Sequence, residues 1–260
     1  MKRTPITLQP EQFPEEFHPL ISGADVYDSS CSREARVYFI DKQDGFYLKC
    51  APAGTLEKEA AVTGFFHQKG LGAEVLAYRK DRQDWLLTRR IPGEDCIYPA
   101  YLDDPKRLSE TTGTLLRRLH ETDPAGCPVN RTADYLDTAY RNYHTLQYEA
   151  DLFPDNWGYH TPEEAWADVQ TFAPALKADT LIHGDYCLPN IMLDTWKFTG
   201  FIDLDSGGLG DKHIDLFWGA WTLRFNLHTD QWCSRFLDAY GRDGFDPEIL
   251  RAIAAFEVFG

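Results

Sequence analysis

The chemistry-bearing residues of this chain crowd into one stretch, 183–215. It opens on His183-Gly184-Asp185, reaches Asn190 after Cys187-Leu188-Pro189, and continues to Asp203, Asp205, Asp211, His213 and Asp215. A carboxylate followed five residues later by an amide is what phosphoryl transfer requires of a protein. The carboxylate orients an attacking hydroxyl, and hard oxygen donors hold Mg²⁺ on the phosphates of a nucleotide. His-x-Asp-x-x-x-x-Asn supplies Asp185 as the carboxylate and Asn190 as one metal donor from a single loop. Apolar runs at 191–193 and 198–202 flank a turn at 194–197, and this hairpin returns Asp203 as a second metal donor. His183 reads as a hydrogen-bonding residue that shapes the loop, and Asp211 and Asp215 as braces for its backbone amides. Taken singly, Asp185 and Asn190 are also ordinary turn residues; their joint spacing carries the kinase reading.

A phosphate cation is also needed. Lys49 lies on an alternating segment, and the next helical segment offers Glu57 and Glu59 to hold it. The pattern G-x-x-x-x-G-K-[ST] is absent, which sets aside a P-loop enzyme. His183, Asp185, Asp203, Asp205, Asp211, His213 and Asp215 leave a dinuclear metal hydrolase as a rival reading, and a nucleotide-binding protein without turnover as another. The hydrolase explains neither Lys49 nor Glu59.

The positioning elements follow from periodicity. Alternation at 36–40, a turn at Asp44-Gly45 and renewed alternation at 46–50 predict a hairpin. Residues 56–67 are helical in pattern, and two further strands are expected at 73–79 and 84–89. Ile91-Pro92-Gly93 punctuates the chain and sets a lobe boundary, giving a first lobe over 1–92 and a second over 93–260. The second is mainly helical: Leu108, Thr112, Leu115, Leu116 and Leu119 recur at helical spacing, a long helix is expected at 133–149, and Thr161-Pro162-Glu163-Glu164 opens another with an N-cap, N1 proline and capping-box glutamate. Helical pattern resumes from Ile214, broken near 241–247. The fold class is α+β, a small antiparallel sheet followed by helices.

Composition bounds the partners. The 260 residues carry 26 Lys and Arg against 41 Asp and Glu, a formal charge of −15. That excludes nucleic acid and anionic membranes as partners, which need basic patches, and favours a cationic small molecule. No apolar run nears the ~20 residues that cross a bilayer, and the basic start gives way to acidic residues without a signal-peptide core, so a cytoplasmic location is expected. Six scattered Cys with no C-x-x-C pair read as reduced, mostly buried thiols. No obligate protein partner is implied.

The runs His183-Gly184-Asp185-Tyr186-Cys187-Leu188-Pro189-Asn190-Ile191-Met192 and Gly200-Phe201-Ile202-Asp203-Leu204 resemble the signatures of the aminoglycoside 3′-phosphotransferase family. Leu116-Arg117-Arg118-Leu119-His120 with Cys127-Pro128, and Phe46-Tyr47-Leu48-Lys49, are similar to that family's central segment and lysine strand. The resemblance spans essentially the whole chain. It implies a two-lobed, protein-kinase-like fold and transfer of the γ-phosphate of ATP, with Mg²⁺, to an aminoglycoside 3′-hydroxyl. A same-fold kinase of choline, homoserine or a sugar is the nearest alternative. The resemblance further implies that Asp185 is the catalytic carboxylate, Asn190 and Asp203 the metal ligands, and Lys49 with Glu59 the phosphate-binding pair. Tyr47 would stack on adenine, backbone near Arg89 and Ile91 would bond its edge, and Asp155, Asn156, Glu257 and the terminal carboxylate at Gly260 would meet the substrate's ammonium groups. The chain departs from the pattern at Leu204-Asp205-Ser206, at Ser29-Ser30-Cys31-Ser32-Arg33, where no glycine stands, at its last residues, Phe256 to Gly260, and at Arg224 and Phe225, where acidic substrate ligands are usual.

Overall fold

A computed structural model describes residues 3–31, 35–148 and 158–260. Asp155 and Asn156 lie outside the described residues. By internal contacts the chain forms two compact units, one of residues 1–95 with 191–205 and the other of 96–190 with 206–260. The hairpin at 191–205, assigned from sequence to the second lobe, therefore groups with the first. The reason is pairing: Glu94 and Asp95 form a short strand against it, and Gly72 bridges to Phe201.

The first unit is built on a six-stranded antiparallel sheet. Its strands are β1 (Thr4–Ile6), β2 (Asp25–Asp28), β3 (Arg36–Asp41), β4 (Phe46–Pro52), β5 (Val75–Lys80) and β6 (Gln83–Arg89), ordered β1-β2-β3-β4-β6-β5. The expected hairpin is β3–β4, turned at Gly45 with φ +92°. β1 and β2 were not foreseen; three- and four-residue strands give too little alternation to read. Alternation on β4 decides what each face does. Phe46, Leu48 and Cys50 pack into a core with Ile40, Trp85 and Leu87, closed by Phe13, Phe17 and Ile21 from the N-terminal segment. Tyr47 and Lys49 therefore point to the opposite face. There, helix α2 (Glu57–Gln68) lays Leu56 and Ala60 against Leu86, the cross-strand partner of Lys49. No side chain within α2 caps its start. Asp84 does so from a distance, its Oδ2 accepting the Gly54 and Leu56 amides at 2.9 Å each, a carboxylate placed on the positive end of the helix. Strands β7 (Glu94–Asp95), β9 (Ile191–Asp194) and β10 (Lys197–Phe201) make the second sheet of this unit.

The second unit is helical, apart from the pair β8 (Thr180–Ile182) and β11 (Gly208–Gly210). Its helices are α3 (Pro99–Leu102), α4 (Pro105–His120), α5 (Arg131–Thr145), α6 (Pro162–Phe172), α7 (Lys212–Leu227), α8 (Gln231–Tyr240) and α9 (Pro247–Glu257), with α1 (His18–Ile21) belonging to the first unit. The helix expected at 133–149 stops at Thr145, where Leu146 turns left-handed at φ +55°. The helical pattern from Ile214 breaks once more than expected, at His228 with φ +54°. Thr161 caps α6 as expected, accepting from the Glu164 amide; Glu164 itself takes the His160 amide, one residue outside the usual box. No helix among the described residues is long and apolar enough to cross a membrane. All six cysteines are free, but only Cys50 and Cys96 are buried; Cys31 is exposed and the other three are half-buried, fewer buried thiols than expected.

The packing of α4 on α8 turns on Gly113. An alanine in a helix interior ordinarily stabilises by ~1 kcal/mol relative to glycine, but a Cβ here would run into the Phe236 carbonyl oxygen and lie 2.9 Å from the Ala239 Cβ. Backbone cannot yield as a side-chain tip does, and overpacking costs roughly 1–3 kcal/mol. Gly113→Ala is expected to lower the thermal midpoint; a raised midpoint in a melting experiment would show that the two helices are not held at this distance.

Candidate active site

In the first unit the sequence-predicted Lys49, Glu59 and Asp203 meet. The Lys49 Nζ lies 3.0 and 2.9 Å from the two Glu59 oxygens and 3.1 Å from Asp203 Oδ1. Burial works against charge on Lys49, yet the two carboxylates outweigh it and hold the ammonium above its usual value. Burial pushes the Glu59 carboxyl up against the pull of Lys49; with three oxygens around one ammonium, the ionised pair is the state the geometry favours. Asp203 follows β10 in a left-handed conformation, φ +57°. Few residues other than glycine adopt it, and Asp is among those that do; such strain collects at functional sites. Tyr47 shares Lys49's face of β4. Its ring lies 5.1 Å from Phe39, and its hydroxyl accepts from Arg3 at 3.1 Å. Arg89 closes β6, its guanidinium paired with Glu74 at 2.8 Å, and its amide donates to the Glu74 carbonyl. Ile91 is buried, and its amide donates to no carbonyl among the described residues, which leaves a backbone donor at the expected hinge.

In the second unit, β8 delivers Ile182 into the loop that carries Asp185. Asp215, at the first turn of α7 and fully buried, accepts the His183 amide on Oδ2 and the Gly184 amide on Oδ1, each at 2.7 Å. His120, from the end of α4, adds Nε2 at 3.1 Å to Oδ2 and is itself held by the Tyr240 hydroxyl at 2.9 Å. Gly184 has φ +83°, and a Cβ there would strike the Ser206 carbonyl. Asp211 accepts the Lys177 and His213 amides and pairs with the His213 ring. Asp215 thus braces the loop's amides as expected; Asp211 does not, because the amides it accepts belong to Lys177, ahead of β8, and to His213 in its own helix. His120 stands out in the sequence only within the family-like central segment; its partner lies 95 residues away, and nothing local signals it.

Asp185 and Asn190 are joined directly. The Asn190 amide nitrogen donates to Asp185 Oδ2 at 2.8 Å and to the Asp185 carbonyl at 3.0 Å, so the amide oxygen is left as a donor for a cation. Ile191, the next residue, begins β9 of the hairpin that ends at Asp203. The Asn190 amide oxygen and the Asp203 carboxylate are each by itself a hard oxygen donor of the type Mg²⁺ takes, and Asp203 Oδ2 receives no hydrogen bond among the described residues. The rival hydrolase finds no support: among the described residues no three His, Cys, Asp or Glu side chains gather as a metal-holding group, and Asp211, His213 and Asp215 are engaged as above. A cavity of about 650 Å³ lies in the first unit against Leu8, Ile21 and Val26. It holds one ionisable side chain, Asp25, and none of Lys49, Glu59 and Asp203.

Glu257, at the end of α9, accepts from the Tyr135 hydroxyl at 2.7 Å and from the Trp218 indole. Gly260 is exposed, its amide donating to the Glu257 carbonyl at 3.3 Å.

The sequence profile of the phosphotransferase enzyme family matches residues 32–253. The chain belongs to that family. A probable aminoglycoside 3′-phosphotransferase of Lactococcus lactis is 49% identical over 252 residues, 96% of each chain. An aminoglycoside 3′-phosphotransferase of Niallia circulans is 26% identical over 95% of this chain and 97% of its own. The structure of an aminoglycoside 3′-phosphotransferase of type VIII superposes with a TM-score of 0.73 at 24% identity, covering 96% of both chains. That of aminoglycoside phosphotransferase APH(3″)-Id from Streptomyces rimosus, in complex with ADP and streptomycin, does so at 0.72 and 26%, covering 86% of this chain and 90% of the other. The α+β, protein-kinase-like fold expected from the sequence is thereby established for this member of the family.

Burial pushes the Glu257 carboxyl up to about 7, with Tyr135 and Trp218 pulling it down and the Asp185 charge adding to the rise. A carboxyl raised from its ordinary 4.5 binds its proton more tightly folded than unfolded. Its contribution is complete below pH 4.5, declines as pH climbs, and is gone above 7. At 1.36 kcal/mol per unit the loss is at most about 3 kcal/mol. Glu257→Gln keeps the two acceptor bonds without the titration, so its urea-unfolding stability is expected to fall less between about pH 5 and pH 8 than that of the parent. Identical pH dependence in the two proteins would refute the raised value.

Proposed function

We propose that this protein transfers the γ-phosphoryl group of ATP to a hydroxyl of an aminoglycoside, the 3′-hydroxyl in accord with the names of its Lactococcus and Niallia relatives. The observation that carries the reading is the Asp185–Asn190 pair, fixed on a loop whose backbone is fastened by Asp215. The roles follow from chemistry. Asp185 accepts a hydrogen bond from the acceptor hydroxyl, aligns its oxygen with the phosphorus, and takes the proton as the new O–P bond forms and the bond to ADP breaks. Asn190 and Asp203 are assigned to Mg²⁺, which when bound would neutralise charge growing on the phosphate oxygens. Lys49, held extended by Glu59, is assigned to the nucleotide's phosphates, Tyr47 to its base, and the backbone at Arg89 and Ile91 to the base's edge.

In this reading, residues 1–92 are the nucleotide-binding lobe and 93–260 the catalytic and acceptor-binding lobe, with Glu257, Gly260 and the Asp155-Asn156 segment assigned to acceptor ammonium groups. The formal charge of −15 supports a cationic acceptor. The reading places the enzyme in the cytoplasm, where ATP is available and free thiols persist.

A coupled ADP-release assay against a panel of aminoglycosides, choline, homoserine and simple sugars tests the proposal. Aminoglycoside-dependent ADP release is expected; release with only a metabolite alcohol would move the acceptor assignment, and none at all would overturn it. Asp185→Ala is expected to lower kcat by about 10²–10⁴-fold with ATP affinity retained, whereas Asp203→Ala should weaken Mg²⁺-dependent nucleotide binding. Normal turnover by Asp185→Ala would remove the central assignment.

A further inference from the structure

One face of α7 carries an aromatic stripe that phosphoryl transfer does not itself require. Trp218, Trp221 and Phe225 stand at i, i+3 and i+7, positions that share a side of a helix. Trp218 and Trp221 meet edge to face with ring centres 5.3 Å apart, and Trp221 and Phe225 stack at 5.0 Å and 11°. Burial falls along the stripe. Trp218 packs against the core of the second unit, Trp221 is half-buried, and Phe225 is 61% exposed. An exposed phenyl ring stacked on a tryptophan at the end of such a row is apolar surface left for a ligand.

A hydrogen bond ties the helix that carries the stripe to the loop that carries Asp185. Thr222, next to Trp221, accepts the Leu188 amide at 3.2 Å, three residues along the loop from Asp185. At the stripe's inner end the Trp218 indole donates to Glu257, whose carboxyl senses the charge of Asp185. Seven residues at about 1.5 Å each extend the row over roughly 10 Å, the span of two linked six-membered rings. The neighbouring Arg224 is paired with Asp230 at 3.8 Å, so its charge is partly offset.

We infer that Trp221 and Phe225 form a stacking wall for the acceptor, taking the apolar face of an amino-sugar or aminocyclitol ring and the adjoining ammonium group by cation–π attraction. The inference rests on the acceptor reading above and deepens it: the acceptor is recognised by aromatic faces on α7. Charge complementarity selects the occupant. Indole and phenyl faces carry negative quadrupole density that attracts cations, Glu257 stands at the inner end, and the chain is acidic throughout. An anionic or purely apolar ligand satisfies none of these.

The test uses the full chain with kanamycin and streptomycin as acceptors, comparing the parent with Trp221→Leu, Phe225→Leu and the double variant. Leucine keeps apolar bulk and removes the ring, so folding is retained where packing alone matters; unchanged KM for ATP and an unchanged melting point check this. Acceptor KM is expected to rise about tenfold for each ring, with ATP KM within about twofold. Acceptor binding without ATP should quench tryptophan fluorescence in the parent and less so in Trp221→Leu. Turnover with acceptor KM unchanged in the double variant would overturn the wall while leaving the phosphotransferase reading in place. A parent that neither phosphorylates nor binds either acceptor would overturn the acceptor reading, and the wall with it.

Discussion

A single buried carboxylate, Asp215, fixes the conformation of the loop that carries Asp185. It has no exposure to water, and a charge in that position is tolerated only when its oxygens are fully engaged. They are: the His183 and Gly184 amides bind one oxygen each, and His120 shares the first. Because the two amides are consecutive, the backbone has little choice of conformation between them. The positive φ at Gly184 follows, and the closeness of the Ser206 carbonyl leaves no room for a side chain there. The orientation of Asp185 is thus determined by a residue 30 positions later in the chain. The Asn190 amide then completes the arrangement by holding the Asp185 side chain to its own loop.

The first unit solves a different problem. A lysine surrounded by carboxylates is normally a poor phosphate ligand, because its charge is already satisfied. Lys49 is held by Glu59 through a helix that Asp84 anchors at its start, so that pair is rigid. Asp203 is the looser partner, with its side chain about half exposed and its backbone in a strained conformation. The pair with Glu59 is the more buried; the contact with Asp203 is the more exposed, and under the proposed role of Lys49 it is the one a phosphate would replace. This asymmetry allows Asp203 to serve both as a resting partner for Lys49 and as the proposed metal donor, since its second oxygen remains open.

What could be read from the sequence follows the range of the interactions. The β3–β4 hairpin, helix α2 and the β9–β10 hairpin were legible because turn residues and period-two or helical patterns are local. The Asp185-to-Asn190 loop was legible for the same reason: both members of the pair lie within one short run. Bracing of the loop by Asp215 was foreseen in kind, whereas Asp211 holds the Lys177 and His213 amides instead. The residues that sequence reasoning passed over act across distance. Asp84 caps a helix start 28 residues before it, and His120 reaches Asp215 over 95. Strands β1, β2 and β11 are three or four residues long, and their pairing partners rather than their own composition make them strands. The break at His228 is a left-handed turn made without a glycine, which periodicity cannot announce.

The acidic composition and the aromatic stripe on α7 bear on the same question, the acceptor, at different ranges. A formal charge of −15 acts over distances comparable to the Debye length, about 8 Å at physiological salt, and raises the local concentration of any cation without regard to its shape. It cannot select a ring, a hydroxyl or an orientation. Glu257 cannot supply much of that selection alone, because a carboxyl titrating near neutrality is only partly charged there. Stacking is different in kind: it requires contact, fixes the plane of the ligand's ring, and is insensitive to salt. An acceptor drawn in by the field and oriented against Trp221 and Phe225 would present one hydroxyl to Asp185 in preference to others. Affinity would then depend on ionic strength, whereas the site of phosphorylation would not.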